Sequence, residues 1–339
     1  MRGDTEWCDV VVVGAGVAGL TTGVCLAESR VRVRVWTSDP PQKTASAAAG
    51  AMWGPSFLGP PDKVLGWLQT TLTELTDLAA CPGTGVHLAS GRMATRFDLG
   101  SQLPPQVTMI PGLRGCTPEE LPAGFVSAHW GTVPLVDMPP CLEYLTRRLM
   151  EAGSQIEMRP ARSLAEALGE APVVVNCSGI GARELAGDQE LRPVRGQHVV
   201  VENPGLDEFF VEVAAGPEWV NYFPHGDHVV LGGIAQPDDW RLEPDPARPR
   251  SRPGHYRSGT PRPGRVRRRS AAVPLLAPQR APPPWWQPQR LPLPPTPSRS
   301  CSHSMCGEGP DSHTTRTVLR PQHRTIRSSR SQRRRRKGS

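Results

Sequence analysis

The order of apolar and polar residues predicts alternating strands and helices over the first 240 residues. The unbroken valines at 10–13 indicate a buried parallel strand, after which Leu20, Val24 and Ala27 recur on one side of a helix. Residues 30–36 alternate arginine with apolar side chains, which is typical of a strand at the distance that a βαβ unit requires. This order of elements predicts an α/β fold with a parallel sheet.

Further along, the same patterns predict two core helices and more strands. Leucines at helical spacing indicate a helix from about 64 to 80 and another from 139 to 152, which Pro139 begins and Gly153 ends. Residues 172–176 are predicted to form a buried strand that ends in small polar residues, where an open α/β sheet places a ligand. Residues 197–201 and 228–231 predict antiparallel strands of a second domain.

Three glycines, Gly14, Gly16 and Gly19, join the first strand to the first helix. In such a turn the first glycine permits the bend, the second lets a pyrophosphate approach, and the third lets helix and strand pack closely. The helix N-terminus adds unpaired N–H groups and partial positive charge. The turn therefore predicts dinucleotide binding rather than a structural glycine turn. Asp39, near the end of the second strand, is the candidate for the ribose, with Ser38 as the less direct alternative.

The charge divides the chain into two parts. The 339 residues carry a formal charge of +7. Residues 241–339 contain 23 basic and 4 acidic residues, whereas residues 1–240 contain 16 basic and 28 acidic residues. The last part is rich in Arg, Pro and Ser and lacks periodicity, so it cannot bury enough apolar surface to offset its ordering entropy. We expect residues 241–339 to be disordered.

The cysteines and the N-terminus indicate a cytoplasmic protein. The eight cysteines are scattered without a CxxC pair, which favours reduced thiols. No apolar run approaches the length of a membrane span, and the chain begins without a signal-peptide pattern. Cys301, His303 and Cys306 are one donor short of a zinc site, so we predict no metal.

Four further segments carry a resemblance to a known family: residues 48–55, 174–179, 193–197 and 231–236, the last followed by Trp240. Together with the glycine turn, and in the same order, they resemble motifs of the D-amino-acid oxidase family. The resemblance implies non-covalently bound FAD and oxidation of D-amino acids to imino acids, which hydrolyse to 2-oxo acids and ammonia. Hydride passes to the flavin in that family, and oxygen reoxidises the flavin with release of hydrogen peroxide.

The resemblance also implies the site residues. The implied FAD contacts are Gly14, Ala15, Gly16, Val17, Ala18 and Gly19 at the pyrophosphate turn, Thr44, Ala45 and Ser46 at the phosphates and nearby flavin atoms, Gly50, Ala51 and Met52 against the isoalloxazine ring, Ala161 near the adenine, and Ser178 at the second strand end. Tyr222 would touch the substrate carboxylate, with a register that can shift by one residue. The alternative interpretation of Tyr222 as a buried core tyrosine stays open.

The implied domains are interleaved. A Rossmann-like FAD-binding domain would take residues 1–53 and 135–182, and a substrate domain on a mainly antiparallel sheet would take residues 54–134 and 183–240. The tail, residues 241–339, would lie outside the resemblance. The family tends to form homodimers, which the residues themselves leave open.

The resemblance stops soon after Pro246. Neither the Gly-x-Arg-Pro segment, whose arginine would pair with the substrate carboxylate, nor the glycine-rich turn before the last helix is found. The Arg- and Pro-rich composition is what a shifted reading frame of a GC-rich gene would produce, and we hypothesise a frameshift near codons 246–250. The missing segments predict weak or absent oxidase activity for this chain.

Two alternatives stay open at the level of the sequence. One is a relative that oxidises another amine, such as D-aspartate or glycine. The other is a non-catalytic flavin-binding protein whose basic tail binds a polyanion. We do not expect nucleic acid to be the partner, and the expected small-molecule partners are a D-amino acid and oxygen.

Overall fold

The computed structural model describes residues 7–56, 59–98, 102–214 and 216–245, and the backbone alone of residues 266–276. The strands are β1 Val10–Val13, β2 Val33–Thr37, β3 Gly50–Met52, β4 Val86–Thr95, β5 Arg114–Gly115, β6 Ser127–Asp137, β7 Gln155–Met158, β8 Val173–Asn176, β9 Leu191–Glu202, β10 Phe209–Glu212, β11 Glu218–His225, β12 His228–Ile234, β13 Gln236–Pro237 and β14 Val266–Leu276. The helices are α1 Val17–Glu28, α2 Pro61–Ala79, α3 Pro105–Thr108, α4 Met138–Glu151, α5 Leu164–Leu168 and α6 Ala182–Leu185.

A small parallel sheet has the strand order β7-β2-β1-β8. Side chains of β1 alternate between two apolar clusters: Val12 packs with α1 and α4, and Val11 packs with Trp36 and α5. Both faces of β1 are therefore covered, which explains its unbroken valines. The predicted strands at 10–13 and 172–176 are confirmed, as are the two long helices, which α2 and α4 form. The expected burial of the second strand is wrong, because β8 is an edge strand of the small sheet and Val173 is exposed.

A larger sheet has the order β13-β9-β12-β11-β10-β4-β6-β3, and its neighbours are antiparallel except for the parallel pair β10 and β4. The predicted antiparallel strands at 197–201 and 228–231 lie side by side as parts of β9 and β12. One face carries an apolar cluster with Phe209, Phe223 and Val230, and the other carries Phe210 and Val220. The mixed α/β fold with a second, mainly antiparallel sheet is confirmed.

The two sheets meet through β3 and β6. Gly50 at the start of β3 pairs with Asp137, the last residue of β6, and α4 follows directly from there to pack on the small sheet. Val86 and Val136 of the large sheet belong to the same apolar cluster as α1. This junction places β3 beside the connections that leave the small sheet.

The end of the described chain includes one strand that the sequence did not predict. The backbone of β14 runs antiparallel along β9, from Val266 opposite Val201 to Leu276 opposite Leu191. The backbone pairing of a strand does not require side-chain periodicity, which is why the pattern gave no signal here. The rest of the expected disordered tail, residues 246–265 and 277–339, lies outside the described residues.

Candidate cofactor and substrate site

The glycine turn between β1 and α1 is packed too tightly for side chains. Gly14 has a φ of +109°, a conformation that residues with a side chain rarely adopt. A Cβ on Gly14 would lie 2.4 Å from the carbonyl oxygen of Cys177, and one on Gly19 would lie 1.8 Å from the carbonyl oxygen of Gly14. Gly14 therefore forms the bend that the sequence predicts, and Gly19 makes the predicted close contact between helix and strand.

The glycine turn leads into α1, whose N-cap residue is Gly16. The first N–H groups of a helix have no partner within the helix, and among the described residues the amides of Ala15 and Gly16 find no acceptor. The amide of Val17 donates to Ser46 Oγ at 3.0 Å. A Cβ on Gly16 would lie 3.1 Å from the same oxygen.

Ser46 therefore borders the space in front of the helix. The structure brings the predicted 44–46 segment to the predicted pyrophosphate turn, since Thr44 begins the short 3-10 turn Ala45–Ala48 that contains Ser46. The first turn of α1 holds no acidic residue, so the partial positive charge of the helix end is not neutralised there. Bare backbone, free donors and a nearby hydroxyl fit a dinucleotide diphosphate.

The predicted adenosine residues lie at the carboxyl ends of neighbouring strands. Asp39 follows β2 and is exposed, with Oδ2 accepting a hydrogen bond from Ser38 Oγ at 2.8 Å. Ala161 follows β7, which pairs with β2, and packs against the cluster that contains Trp36. The guanidinium of Arg159 lies 3.7 Å from the centre of the Trp36 ring and closes the cluster between these strand ends.

Ser178 lies just beyond β8, on the other side of β1. Its Oγ donates to Asn176 Oδ1 at 2.6 Å. Cys177 N donates to the carbonyl oxygen of Val13 at 2.8 Å, which holds the end of β8 against the glycine turn. Burial raises the pKa of the Cys177 thiol, so this group is a neutral packing contact rather than a nucleophile.

β3 is the last strand of the large sheet, next to β6, and its first residue also approaches β9 and β12 across the apolar face of that sheet. A Cβ on Gly50 would lie 2.9 Å from Val230 Cγ1 and 3.2 Å from His198 Cε1. Met52 packs into the apolar cluster of that face. The predicted flavin segment is therefore a strand whose first residue has no side chain where it meets β9 and β12.

Tyr222 lies on the opposite face of the large sheet. Its ring stacks on Phe210, with centroids 5.7 Å apart and planes at 20°. Because side chains alternate along β11, Asn221 and Phe223 occupy the Gly50 face instead. This placement does not bring Tyr222 near Gly50, and the side chain is only partly buried. Both interpretations of Tyr222 stay predictions.

Sequence reasoning missed two polar residues on the Gly50 face, His198 and Asn221. A Cβ on Gly232 would lie 2.7 Å from His198 Nδ1 and 2.8 Å from Asn221 Oδ1, so both side chains fill the place that this glycine leaves open. Glycine inside a strand is a signal of such close approach, and Gly232 was available in the sequence.

Arg195 is fully buried and holds the chain that follows β12. Its guanidinium donates to Gln236 Oε1 at 2.7 Å, to Gln197 Oε1 at 3.0 Å, and to the carbonyl oxygens of Arg241 at 2.9 Å and Glu243 at 2.6 Å. These bonds give Arg195 a structural role, and it is not the arginine that the family would place on a substrate carboxylate.

The described residues give no support for a metal site, a membrane-spanning helix or a reactive cysteine. They contain no group of three metal-binding side chains. None of the described helices combines the length and hydropathy needed to cross a membrane. The six described cysteines are all free thiols, and burial raises the pKa of Cys141 to about 11.

Comparison with known proteins gives one consistent result. A family model described as DAO, FAD dependent oxidoreductase, matches residues 9–278. The D-amino-acid oxidase of Streptomyces coelicolor is 44% identical over 241 residues, which cover 70% of this chain and 73% of that protein. The D-aspartate oxidase of Homo sapiens is 33% identical over 245 residues, which cover 70% and 71%.

A solved structure shares the fold at low identity. The glycine oxidase of Bacillus cereus superposes with a TM-score of 0.59 at 15% identity, over 79% of this chain and 83% of that one. At this identity the likeness concerns the fold alone.

Proposed function

Because this chain belongs to the DAO family of FAD dependent oxidoreductases, we propose that it binds FAD and oxidises D-amino acids, with oxygen as the second substrate. The products would be a 2-oxo acid, ammonia and hydrogen peroxide. The observation that carries the proposal is the start of α1, where Gly14, Gly16 and Gly19 leave free N–H groups beside the hydroxyl of Ser46.

We propose that FAD extends from the strand ends of the small sheet, past the start of α1, to β3. The diphosphate would meet the amides of Ala15 and Gly16, and the adenosine would lie toward Asp39 and Ala161 at the strand ends. The flavin ring would lie toward β3. When bound, FAD supplies an acceptor for a hydride, so the chain itself needs to orient a substrate and exclude water.

The face of the large sheet beside β3 supports the exclusion of water. It carries Trp53, Val200, Phe223 and Val230 in one buried apolar cluster. Such a surface favours an uncharged side chain on the substrate, because a carboxylate would lose its hydration there. This supports a neutral D-amino acid over D-aspartate.

We propose that the oxidase activity of this chain is weak. The bacterial D-amino-acid oxidases of Streptomyces coelicolor and Rubrobacter xylanophilus are covered over 73% and 72% of their length. The sequence lacks the arginine that would pair with the substrate carboxylate, and one charged hydrogen bond contributes about 1.5–3 kcal/mol. Its loss alone would lower substrate use about tenfold to a few hundredfold.

We also propose a cytoplasmic site of action. The six described cysteines, among them the exposed Cys25 and Cys81, are free. Free exposed thiols favour a reducing compartment.

The full chain tests the proposal in two steps. FAD is titrated into the apoprotein and followed by the change in flavin absorption, and peroxide release is then measured with D-alanine and with D-aspartate. We expect FAD to bind and D-alanine to react faster than D-aspartate, although slowly. Gly16→Ala, which adds a methyl group in front of the helix without a backbone clash, should weaken FAD binding.

Gly66→Ala in α2 is the matched control for Gly16→Ala, because no atom lies within 4 Å of its Cβ position and α2 carries none of the proposed FAD contacts. It should bind FAD like the unmodified chain. Absence of FAD binding by the unmodified chain, or an equal loss in both variants, would contradict the proposal.

A further inference from the structure

His228 lies at the start of β12, with a carboxylate beside each of its ring nitrogens. Its Nδ1 atom is 2.8 Å from Asp227 Oδ1 in the turn between β11 and β12. Its Nε2 atom is 3.5 Å from Asp137 Oδ2 at the end of β6. The first contact stays within one hairpin, whereas the second joins two strands that do not pair with each other.

A neutral imidazole cannot donate to both carboxylates. It carries one N–H and one bare nitrogen, whereas the protonated ring carries an N–H on both nitrogens. The hydrogen bond and the charge of His228 hold the pKa of Asp227 below its ordinary value, so this carboxylate is ionised and accepts from Nδ1. In a neutral ring Nε2 would then direct a lone pair toward Asp137. Only the protonated ring makes both contacts favourable.

The contact between Nε2 and Asp137 depends on charge for a second reason. Nε2 is buried, and among the described residues it makes no hydrogen bond. The side chains of His228 and Asp137 are 21% and 17% exposed, so water screens their attraction only in part.

Asp137 connects this pair to β3. Its backbone N–H donates to Gly85 O at 2.8 Å, and it lies opposite Gly50 where β6 pairs with β3. On the other side of the contact, Val230 follows His228 by two residues on β12, and its Cγ1 would lie 2.9 Å from a Cβ on Gly50. The ion pair therefore ties β12 to β6 at the place where both approach the start of β3.

Other titratable groups near His228 act on its charge in both directions. The ring centre of His225 is 5.5 Å from that of His228, and the ring centre of His87 is 5.3 Å from that of His225. A charge on either of these rings would oppose a charge on His228, whereas Glu202, opposite His228 on β9, attracts it. Cys141 of α4 is uncharged, because burial raises the pKa of its thiol.

We propose that His228 is a positioning residue, which in its protonated form pairs with Asp137 and holds β3 in place for the flavin ring. This inference rests on the proposed function, which places the flavin ring toward β3. The pair needs the positive charge, so its contribution is present at low pH and is lost as the pH rises through the range in which imidazoles titrate. FAD binding by this chain therefore weakens as the pH rises.

The dissociation constant of FAD tests this dependence without turnover. FAD is titrated into the full-length apoprotein at about pH 5.5 and at about pH 8.5, on either side of the imidazole range, and binding is followed by the change in flavin absorption. The measured quantity is the ratio of the dissociation constant at the higher pH to that at the lower pH. We expect a ratio of roughly two to five, the effect of one partly exposed ion pair.

Two substitutions remove the ion pair from opposite sides. His228→Gln keeps a polar side chain without a titratable charge and should bring the ratio close to one. Asp137→Asn puts an amide beside Nε2, and its N–H group can donate to the neutral ring. The neutral ring is then the better partner, so the ratio should fall to one or below.

His129→Gln is the matched control, because it removes an imidazole near the other end of β6 from Asp137. It should leave the ratio as it is in the unmodified chain. His225→Gln removes the neighbouring imidazole and keeps the pair of His228 with Asp137, so it should not lower the ratio.

Four outcomes would overturn the inference. These are a ratio of one in the unmodified chain, an unchanged ratio in His228→Gln or in Asp137→Asn, a loss of the dependence in His129→Gln as well, and a loss in His225→Gln alone. Urea unfolding at both pH values shows first that each variant is folded. If neither variant folds at the higher pH, the inference is also wrong, because the unmodified chain lacks the ion pair there.

The same titrations separate this inference from the proposed function. A full chain that binds no FAD at either pH would overturn both together. FAD binding whose pH dependence does not involve His228 and Asp137 would overturn the inference alone.

Discussion

Ser46 Oγ accepts a hydrogen bond from the backbone N–H of Val17 at 3.0 Å, across 29 residues of sequence. This bond joins the 3-10 turn that follows β2 to the first turn of α1. Both segments were predicted to contact the phosphates of a dinucleotide. Their contact in the structure makes them one surface, whose donors and hydroxyl can be tested by substitution.

Ser46→Ala should weaken FAD binding about fivefold, because it removes a hydroxyl from the space in front of α1 and one hydrogen bond is worth about 1 kcal/mol. Ser90→Ala is the control, since it removes a serine hydroxyl that meets Thr132 Oγ1 at 2.8 Å on the large sheet. Quenching of FAD fluorescence measures both dissociation constants. A larger effect from Ser90→Ala than from Ser46→Ala would count against this surface.

Gly19→Ala should destabilise the fold by about 3 kcal/mol or more, because its Cβ would lie 1.8 Å from the carbonyl oxygen of Gly14 and the helix would have to move. Gly181→Ala has only ordinary contacts and should change the free energy of unfolding by less than about 1 kcal/mol. Urea unfolding of both variants gives the comparison. Equal stability would show that α1 does not pack on the turn this closely.

Arg195→Met should lower the free energy of unfolding by at least about 3 kcal/mol, because four acceptors around a fully buried guanidinium would lose their donor. Arg192, three residues earlier on β9, is exposed and pairs with Asp238. Arg192→Met should cost at most about 1 kcal/mol, since exposed ion pairs contribute little. If urea unfolding shows the same loss of unfolding free energy in both variants, the structural role of Arg195 is contradicted.

Glu166 gives the stability a dependence on acid pH. Hydrogen bonds from the Arg162 side chain and backbone, and from Arg159, lower the pKa of Glu166 from its usual 4.5 to about 2. A carboxyl whose pKa is lower in the folded than in the unfolded chain stabilises the fold above the unfolded value and loses that contribution as the pH falls through the folded value.

The difference in urea midpoint between the unmodified chain and Glu166→Gln should therefore be constant above about pH 5 and shrink toward pH 2. Glu151→Gln is the control, because Glu151 pairs with Arg147 at the surface at 3.9 Å. A Glu166→Gln difference that does not change between pH 5 and pH 2 would contradict this origin.

Local patterns predicted the elements with strong short-range signals well. The valines of β1, the glycine turn and the leucines of α2 and α4 are short-range signals, and each element lies within three residues of its expected bounds. Asp39 was predicted from the end of β2, whereas Ala161 and Ser178 were implied by the family resemblance. All three follow strands of the parallel sheet, whose carboxyl ends share one edge.

The side of the large sheet that each β11 side chain faces could not be predicted in the same way. The large sheet has an apolar cluster on each face, so Val220 and Phe223 are both buried on opposite sides and the period of two does not mark one face as inner. Whether Tyr222 or Asn221 lies on the Gly50 face therefore depends on contacts with strands distant in sequence. The same holds for Arg195, because three of its four hydrogen-bond partners lie more than 40 residues away.

Every proposed role depends on the binding of FAD, with its diphosphate at the start of α1 and its flavin ring toward β3. Equilibrium dialysis of the full-length apoprotein against FAD, with NAD under the same conditions, tests this directly. We expect one FAD to be retained per chain and NAD to be lost, because β3 provides a site beside a flavin ring. Retention of neither cofactor, or of NAD as well as FAD, would contradict the account.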